Sequence, residues 1–134
     1  MAMYEDEKAF SDDVLRAEAA KEDQTIVLCA ASAYNEKYYL NPAFEKLPES
    51  IRDELKIISV LFVEEIGGTF RMEFDEEGEL RFTTEALPSD YSYDEIGAAL
   101  MVKEIQRNKR DLLESLEMFY RVFFLGHTEL LEQA

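Results

Sequence analysis

Residues 72–82 read MEFDEEGELRF, and this stretch decides the fold because it joins two alternating segments through a turn. Asp75 suits the first position of a type I turn and Gly78 the fourth. Gly78 can also take the left-handed conformation that closes a three-residue hairpin loop with a bulge. The register that follows pairs Phe74 with Leu80, Met72 with Phe82, Phe70 with Thr84 and, on the outer face, Glu73 with Arg81.

The acidic side chains of this stretch also suggest a calcium loop, but their spacing argues against it. A calcium loop supplies about six to eight oxygen ligands from a longer pattern such as D-x-D-x-D-G, which DEEGE lacks. The stretch is therefore predicted to be a hairpin bend, and no metal site is predicted anywhere in the chain.

The composition indicates one acidic globular domain. The chain has 134 residues, of which 47% are hydrophobic, and it includes nine Phe and seven Tyr, enough to build a core. Thirty acidic against fourteen basic residues leave a net charge of −16. This charge repels nucleic acids and anionic membranes, so neither is an expected partner, whereas a basic protein would be attracted. A protein that imitates DNA by its charge is a minority alternative.

A buried, unreactive thiol is expected at Cys29, the one cysteine, because it lies in an apolar run. The acidic N-terminus does not resemble a secretory signal, and the longest apolar stretch, IISVLFV at 57–63, is too short to span a bilayer. A soluble cytoplasmic protein is expected.

The first half of the chain alternates helical and strand patterns. In residues 1–24, which carry eight acids and three bases, Phe10, Val14 and Ala17 stand at helical spacing. Residues 25–33, TIVLCAASA, are apolar in both alternating sets, which is typical of a strand covered on both faces. The two predicted faces are Ile26, Leu28 and Ala30 on one side and Val27, Cys29 and Ala31 on the other.

A second strand, a helix and the hairpin follow. NEKYYLNP predicts the strand, which Asn41–Pro42 ends. In LPESIRDELKIISVLFVEEIGG a helix begins after Pro48 and ends at Gly67 and Gly68. Its predicted apolar stripe consists of Ile51, Leu55, Ile58, Phe62 and Ile66.

The last element is predicted to be one long helix. A capping box of Ser92 and Glu95 begins it, and it runs to Phe124 before Gly126. Its clearest apolar seam is Ile105, Leu112, Leu116, Phe119 and Phe123. The final turns, MFYRVFFL, are apolar nearly all round, so they are either core or a contact with another subunit. The candidate interaction surface here comprises Phe119, Tyr120, Phe123 and Phe124.

A basic segment interrupts the acidic chain. KEIQRNKR at 103–110 contains Lys103, Arg107 and Arg110. The structural interpretation is a solvated helix held by the pairs Arg107–Asp111 and Arg110–Glu114. The functional one is a platform for an acidic peptide, with the chain's own N-terminus as one candidate. The tyrosine pairs Tyr38/Tyr39 and Tyr91/Tyr93 either edge a pocket or cover the rim of the core.

No catalytic motif is present in the sequence, which lacks the phosphate-binding glycine loops, H-E-x-x-H and G-x-S-x-G. No catalytic residue and no cofactor are therefore predicted. Carboxylate pairs such as Glu64/Glu65 are too common in this chain to identify a general acid and base.

Several segments resemble a family of small acidic proteins from anaerobic Firmicutes (Clostridia), known as a domain of unknown function. They are TIVLCAASAYNEKYYLNPAFEKLP, DELK, the GG-hairpin, YDEIG and LESLEMFYRVFFLG. The likeness covers about residues 24–126 and implies a bacterial cytoplasmic protein without assigned chemistry or functional residues.

These elements predict an α+β fold. An antiparallel sheet of about four to five strands carries helices packed against it, in the order α-β-β-α-β-β-α with a long C-terminal helix. Residues 1–24 form an acidic extension with a short helix, 25–126 a single domain, and 127–134 a tail. The order resembles the type III secretion chaperone fold and the YbjN-like regulators, and the roadblock/profilin-like arrangement is similar.

Two function classes follow. One is a non-enzymatic interaction or chaperone-like module, with a homodimer as one form, that binds a protein or peptide. The other is a small-molecule binder or cryptic enzyme with a pocket lined by tyrosines and carboxylates.

Overall fold

The computed structural model describes residues 25–127 and 129–130. Over this part of the chain the protein is an α+β domain with one four-stranded antiparallel sheet and three α-helices. The elements in chain order are β1 (Ile26–Ser32), β2 (Lys37–Leu40), a 3₁₀ turn (Pro42–Phe44), α1 (Glu49–Glu65), β3 (Thr69–Phe74), β4 (Leu80–Glu85), α2 (Glu95–Asn108) and α3 (Arg110–Phe123).

The predicted element order is correct only in part. The sheet has four strands, and the described order is β-β-α-β-β-α-α. The predicted first helix and acidic extension fall on residues 1–24, outside the described residues. The C-terminal helix is divided in two at Lys109.

The sheet order is β2-β1-β3-β4, so β1 lies in the middle and pairs with both β2 and β3. The predicted alternation of β1 does not continue across Leu28, because a bulge inserts this residue between Val27 and Cys29. Each predicted face is therefore divided between the two sides of the sheet. With this extra residue, both Leu28 and Cys29 join the core, whereas Val27 and Ala30 lie on the opposite face.

The β3–β4 hairpin confirms the predicted register at all four pairs. Gly78 has φ +86°, and its N–H donates to the Asp75 carbonyl at 2.9 Å, which closes the turn. The Asp75 carboxylate accepts the N–H groups of Glu77 and Glu79, both at 2.9 Å. The predicted cross-strand contact of Glu73 with Arg81 is not made: the Arg81 Nε instead donates to Asp75 at 2.9 Å. Glu73 and Arg81 are opposite each other in the register, but the Arg81 guanidinium binds the carboxylate of Asp75 in the loop.

Helix α1 packs its predicted stripe against the inner face of the sheet. Leu55, Ile58 and Phe62 are buried, and Ile51 and Ile66 pack against the same core. Gly67 and Gly68 end the helix with φ of +93° and +68°. At Gly68 a side chain would collide with the Glu85 carbonyl and the Tyr93 ring, so the glycine also permits close packing.

The start of α2 differs from the predicted capping box. The N-cap is Asp94, whose carboxylate accepts the Gly97 N–H at 2.9 Å. Ser92 instead donates to Asp90 at 3.1 Å. Aspartate is as good an N-cap as serine, and this one lies next to the first helical residue.

The division at Lys109 changes which residues of the last helix reach the core. Lys109 has φ −113° and ψ 25°, outside the helical region, although its N–H still bonds to the Ile105 carbonyl at 2.8 Å. Beyond this point the buried residues are Leu113, Leu116, Tyr120 and Val122. Of the predicted seam, Leu116 is buried, and Leu112 and Phe119 pack partly buried against the core. The seam is wrong at Phe123, which is exposed, and it missed Leu113, Tyr120 and Val122.

Candidate functional site

The predicted aromatic surface is divided between the core and the solvent. Tyr120 is only 4% exposed, whereas Phe123 is 67% exposed and Phe124 39%. Phe119 is partly buried and its ring lies 4.8 Å from that of Phe123. Part of the predicted interaction surface therefore serves the fold.

A stack of rings explains why Tyr120 and Phe124 are held. Tyr120 stacks on Phe74 with ring centroids 4.2 Å apart, and Phe124 lies 4.8 Å from Phe44 and 5.0 Å from Tyr120. These contacts fasten the end of α3 to β3 and to the 3₁₀ turn. Phe123 is the ring at this end that solvent reaches most.

The three basic residues of the predicted platform, Lys103, Arg107 and Arg110, are all exposed. Arg107 and Arg110 line one shared groove, on either side of the break at Lys109, but Lys103 does not. The predicted ion pairs Arg107–Asp111 and Arg110–Glu114 are not formed among the described residues. The first pair spans the break, and exposed pairs on one helix gain too little to hold two long side chains together.

The groove lies between the N-terminus of α1 and the α2–α3 break and has a volume of about 670 Å³. Helix α1 contributes Ser50, Ile51 and Glu54, and the break contributes residues 107–112. The Lys109 ammonium donates to the Glu54 carboxylate, and this contact joins the two walls. Ile51 and Leu112 supply partly buried apolar surface, so the groove offers both guanidinium groups and an apolar patch.

The sequence patterns did not predict the contribution of α1 to this site. Glu54 is one of thirty acids in the chain, and nothing in the sequence separates it from the others. Only the path of the chain places it beside Lys109, 55 residues later.

A second depression, of about 550 Å³, contains part of the predicted tyrosine and carboxylate set. It lies along the loop between β4 and α2, and its lining includes Glu85, Asp90, Tyr91, Tyr93 and Glu95. Tyr91 is 93% exposed, so it stands at the edge without closing the space. The other predicted pair, Tyr38 and Tyr39, is buried on opposite faces of the sheet and takes no part.

Tyr34 fixes one wall of this depression. Its hydroxyl donates to Asp90 at 2.7 Å and accepts the Leu87 N–H at 3.0 Å. Desolvation and the Asp90 carboxylate raise the pKa of Tyr34 above its ordinary value, so the hydroxyl stays protonated and donates. Tyr34 was not among the predicted site residues.

Cys29 has the environment of a structural thiol. It is fully buried, with its Sγ 3.6 Å from the Ser59 hydroxyl and 3.7 Å from the Met72 sulfur. Burial raises the pKa of Cys29 to about 12, so the thiolate needed for nucleophilic chemistry is not formed at neutral pH.

Two absences concern residues 25–127 and 129–130 of the chain. No group of three or more His, Cys, Asp or Glu side chains in this part of the chain is placed to hold a metal ion. None of the helices in this part of the chain combines the length and the apolar character that a membrane span requires.

Comparison with known families gives one match. The DUF6145 family model, described as a family of unknown function, matches residues 25–128. Comparison with curated proteins and with solved structures gave no match.

Proposed function

Because the chain belongs to DUF6145, a family of unknown function, we propose a function from its surface: a non-enzymatic interaction module that binds an acidic peptide segment. The proposed site is the groove between α1 and the α2–α3 break. One observation carries this proposal: Arg107 and Arg110 share the groove without forming ion pairs among the described residues.

The chemistry of the groove suits a carboxylate-bearing peptide. Guanidinium groups bind carboxylates with two parallel hydrogen bonds, and the partly buried Ile51 and Leu112 can accept an apolar side chain beside them. Glu54 engages Lys109, and Asp111 also lines the groove, so Arg107 and Arg110 leave the groove with one net positive charge for a ligand.

The net charge of −16 opposes an acidic ligand at long range. At physiological ionic strength the screening length is about 8 Å, so remote carboxylates act weakly on a peptide that is already in contact with the guanidinium groups. We therefore expect the peptide to associate slowly and to be selected by its direct contacts with the groove. This behaviour suits a regulatory or chaperone-like module of modest affinity.

The test is fluorescence anisotropy with a labelled hexaglutamate peptide that carries one leucine, at physiological salt. Replacing both arginines (Arg107→Ala with Arg110→Ala) should weaken binding by about tenfold or more, because each charge-assisted hydrogen bond contributes about 1.5–3 kcal/mol. The matched control is Lys46→Ala with Lys56→Ala, which removes the same charge from exposed positions that do not line the groove. Equal loss in both double variants would mean that only net charge matters, and would contradict the proposed site.

Homodimerisation through the end of α3 is a second part of the proposal. Phe123 supports it because its ring is large and exposed. A stable dimer buries about 800 Å² on each partner, and one ring supplies only a fraction of this area. Light scattering should find a dimer whose mass falls on Phe123→Asp. A monomer at all concentrations would remove this part and leave the peptide groove untouched.

A small-molecule site at the Tyr91–Tyr93 depression is the alternative function. The observation that favours it is the buried Tyr93 hydroxyl, which has no hydrogen-bond partner among the described residues. Carboxylates and tyrosine rings together suit a cationic amine. A thermal-shift screen of amines should then find a ligand whose stabilisation is lost in Tyr93→Phe, and a screen without any stabilising amine would exclude this class.

A further inference from the structure

The outer face of the sheet, the side turned away from the three helices, is withdrawn from solvent. Val27, Ala30 and Tyr39 form an apolar cluster there and are buried. Glu73 on the same face is only 3% exposed, although it is an acidic residue, and it accepts hydrogen bonds from Thr83 at 2.8 Å and from Arg71 at 3.4 Å. Such residues need a cover, because a carboxylate is seldom buried on an open sheet face.

The described helices do not provide this cover. The helix residues that pack in an apolar cluster all belong to the cluster on the inner face, which also contains Leu28, Met72 and Phe74. Within residues 25–127 and 129–130, the outer cluster contains strand residues only. The cover therefore has to come from a segment other than α1, α2 and α3.

We propose that residues 1–24 of the same chain dock on the outer face of the sheet. This segment enters at the correct place, since residue 25 directly precedes Ile26, the first residue of the central strand β1. Val27, the next residue, already belongs to the outer cluster. A short connection therefore brings the segment onto this face.

The size and pattern of the segment fit the face. Four strands about 4.8 Å apart span about 14–19 Å, and a helix of about 12 residues covers this distance. Phe10, Val14 and Ala17, at helical spacing, give one apolar side to place on Val27, Ala30 and Tyr39.

Charge supports the same occupant. The segment carries eight acids and three bases. Lys37 and Arg71 lie on the outer face, because their strand partners are Ser32 and Ala30. Acidic side chains beside the apolar stripe would therefore meet cations at the sheet, and the basic groove at Arg107 and Arg110 is left to another ligand.

The test uses a thiol reporter in the full chain. Ala30→Cys puts a thiol on the outer face, where maleimide reaches it only when the cover is released. The native Cys29 is buried in the core and should not react with maleimide at neutral pH. The reporter should react slowly in the parent chain. Adding Phe10→Asp should speed its modification by about tenfold or more, since the segment would lose the burial of its one phenylalanine.

The matched control is Ala19→Asp, which adds the same charge on the side of the segment opposite Phe10 and should leave the rate unchanged. Thr83→Cys, also on the outer face, is a second reporter. Modification of one thiol per chain shows that the core stays closed around Cys29. The proposal is overturned if the reporter reacts equally in the parent and Phe10→Asp chains, or if Arg107→Glu with Arg110→Glu releases it and Phe10→Asp does not.

Discussion

The hairpin bend at 75–81 and the helix break at 107–112 are both short, charged and close to the surface, but they use their charges differently. In the bend, Asp75 accepts two backbone N–H groups and the Arg81 guanidinium. At the break, Arg107 and Arg110 form no ion pair among the described residues. The charges of the bend build the fold, whereas Arg107 and Arg110 at the break are the charges that we propose bind a ligand.

The pKa of Asp75 also indicates that the charge of the bend contributes to folding. Burial on its own would raise the pKa of this carboxyl, but hydrogen bonds from the Glu79 N–H, the Arg81 side chain and the Glu77 N–H lower it below its usual value. A carboxylate stabilised in this way contributes to folding.

The largest difference is expected between Phe74, beside the bend, and Phe123, at the far end of the helix that follows the break. Phe74, the last residue before the bend, is fully buried and stacks on Tyr120, so Phe74→Ala should lower the free energy of unfolding by about 3–5 kcal/mol. Phe123, the exposed end of α3, should lose less than about 1 kcal/mol as Phe123→Ala. Urea denaturation of both variants checks this. Similar losses would show that the end of α3 is part of the core.

Asp75 in the bend and Asp111 at the break allow the same substitution to be compared in the two regions. Asp75→Ala should cost about 1–3 kcal/mol, because two loop N–H groups lose their acceptor. Asp111→Ala, at the exposed start of α3, should stay within about 0.5 kcal/mol of the parent. Thermal denaturation of both variants measures the difference, and a large cost at Asp111 would mean that the break also depends on its charges.

The two regions also differ in how far sequence patterns predicted them. The bend was predicted to the residue, because Asp75, Gly78 and the alternation on both sides act locally. The break was not predicted, since KEIQRNKR contains neither proline nor glycine and reads as continuous helix. The ammonium of Lys109 meets Glu54 only after the chain has folded, and a contact over this distance leaves no periodic signal.

The same limit applies to the sites. Lys103, Arg107 and Arg110 were recognised as a basic segment, but the partners that make a groove, Ser50 and Ile51, come from the start of α1. The aromatic end of α3 was recognised by composition. Which of its rings face solvent depends on how α3 packs on the sheet, and of the predicted surface Tyr120 is buried whereas Phe123 is exposed.

Acidification should weaken the bend, because Asp75 holds it as a carboxylate. The pKa of Asp75 is lower in the folded protein than in the unfolded chain, where it is about 3.9. Its contribution is therefore complete above about pH 4 and is lost as the pH falls through the folded pKa. The stability difference between the parent and Asp75→Asn should shrink between pH 6 and pH 3, as measured by urea denaturation. A difference that is constant over this range would show that the carboxylate charge contributes nothing.

The smallest effect on stability is expected at the break itself. Arg107→Ala with Arg110→Ala should change the free energy of unfolding by less than about 0.5 kcal/mol, because neither guanidinium is engaged in an ion pair among the described residues. The same variant should lose most of its affinity for the acidic peptide, which separates binding from folding. The structural counterpart is Glu54→Gln, which weakens the contact to Lys109 and should cost about 0.2–1 kcal/mol. If the double arginine variant instead loses more stability than Glu54→Gln, the arginines hold the break together, and the charges of both regions serve the fold.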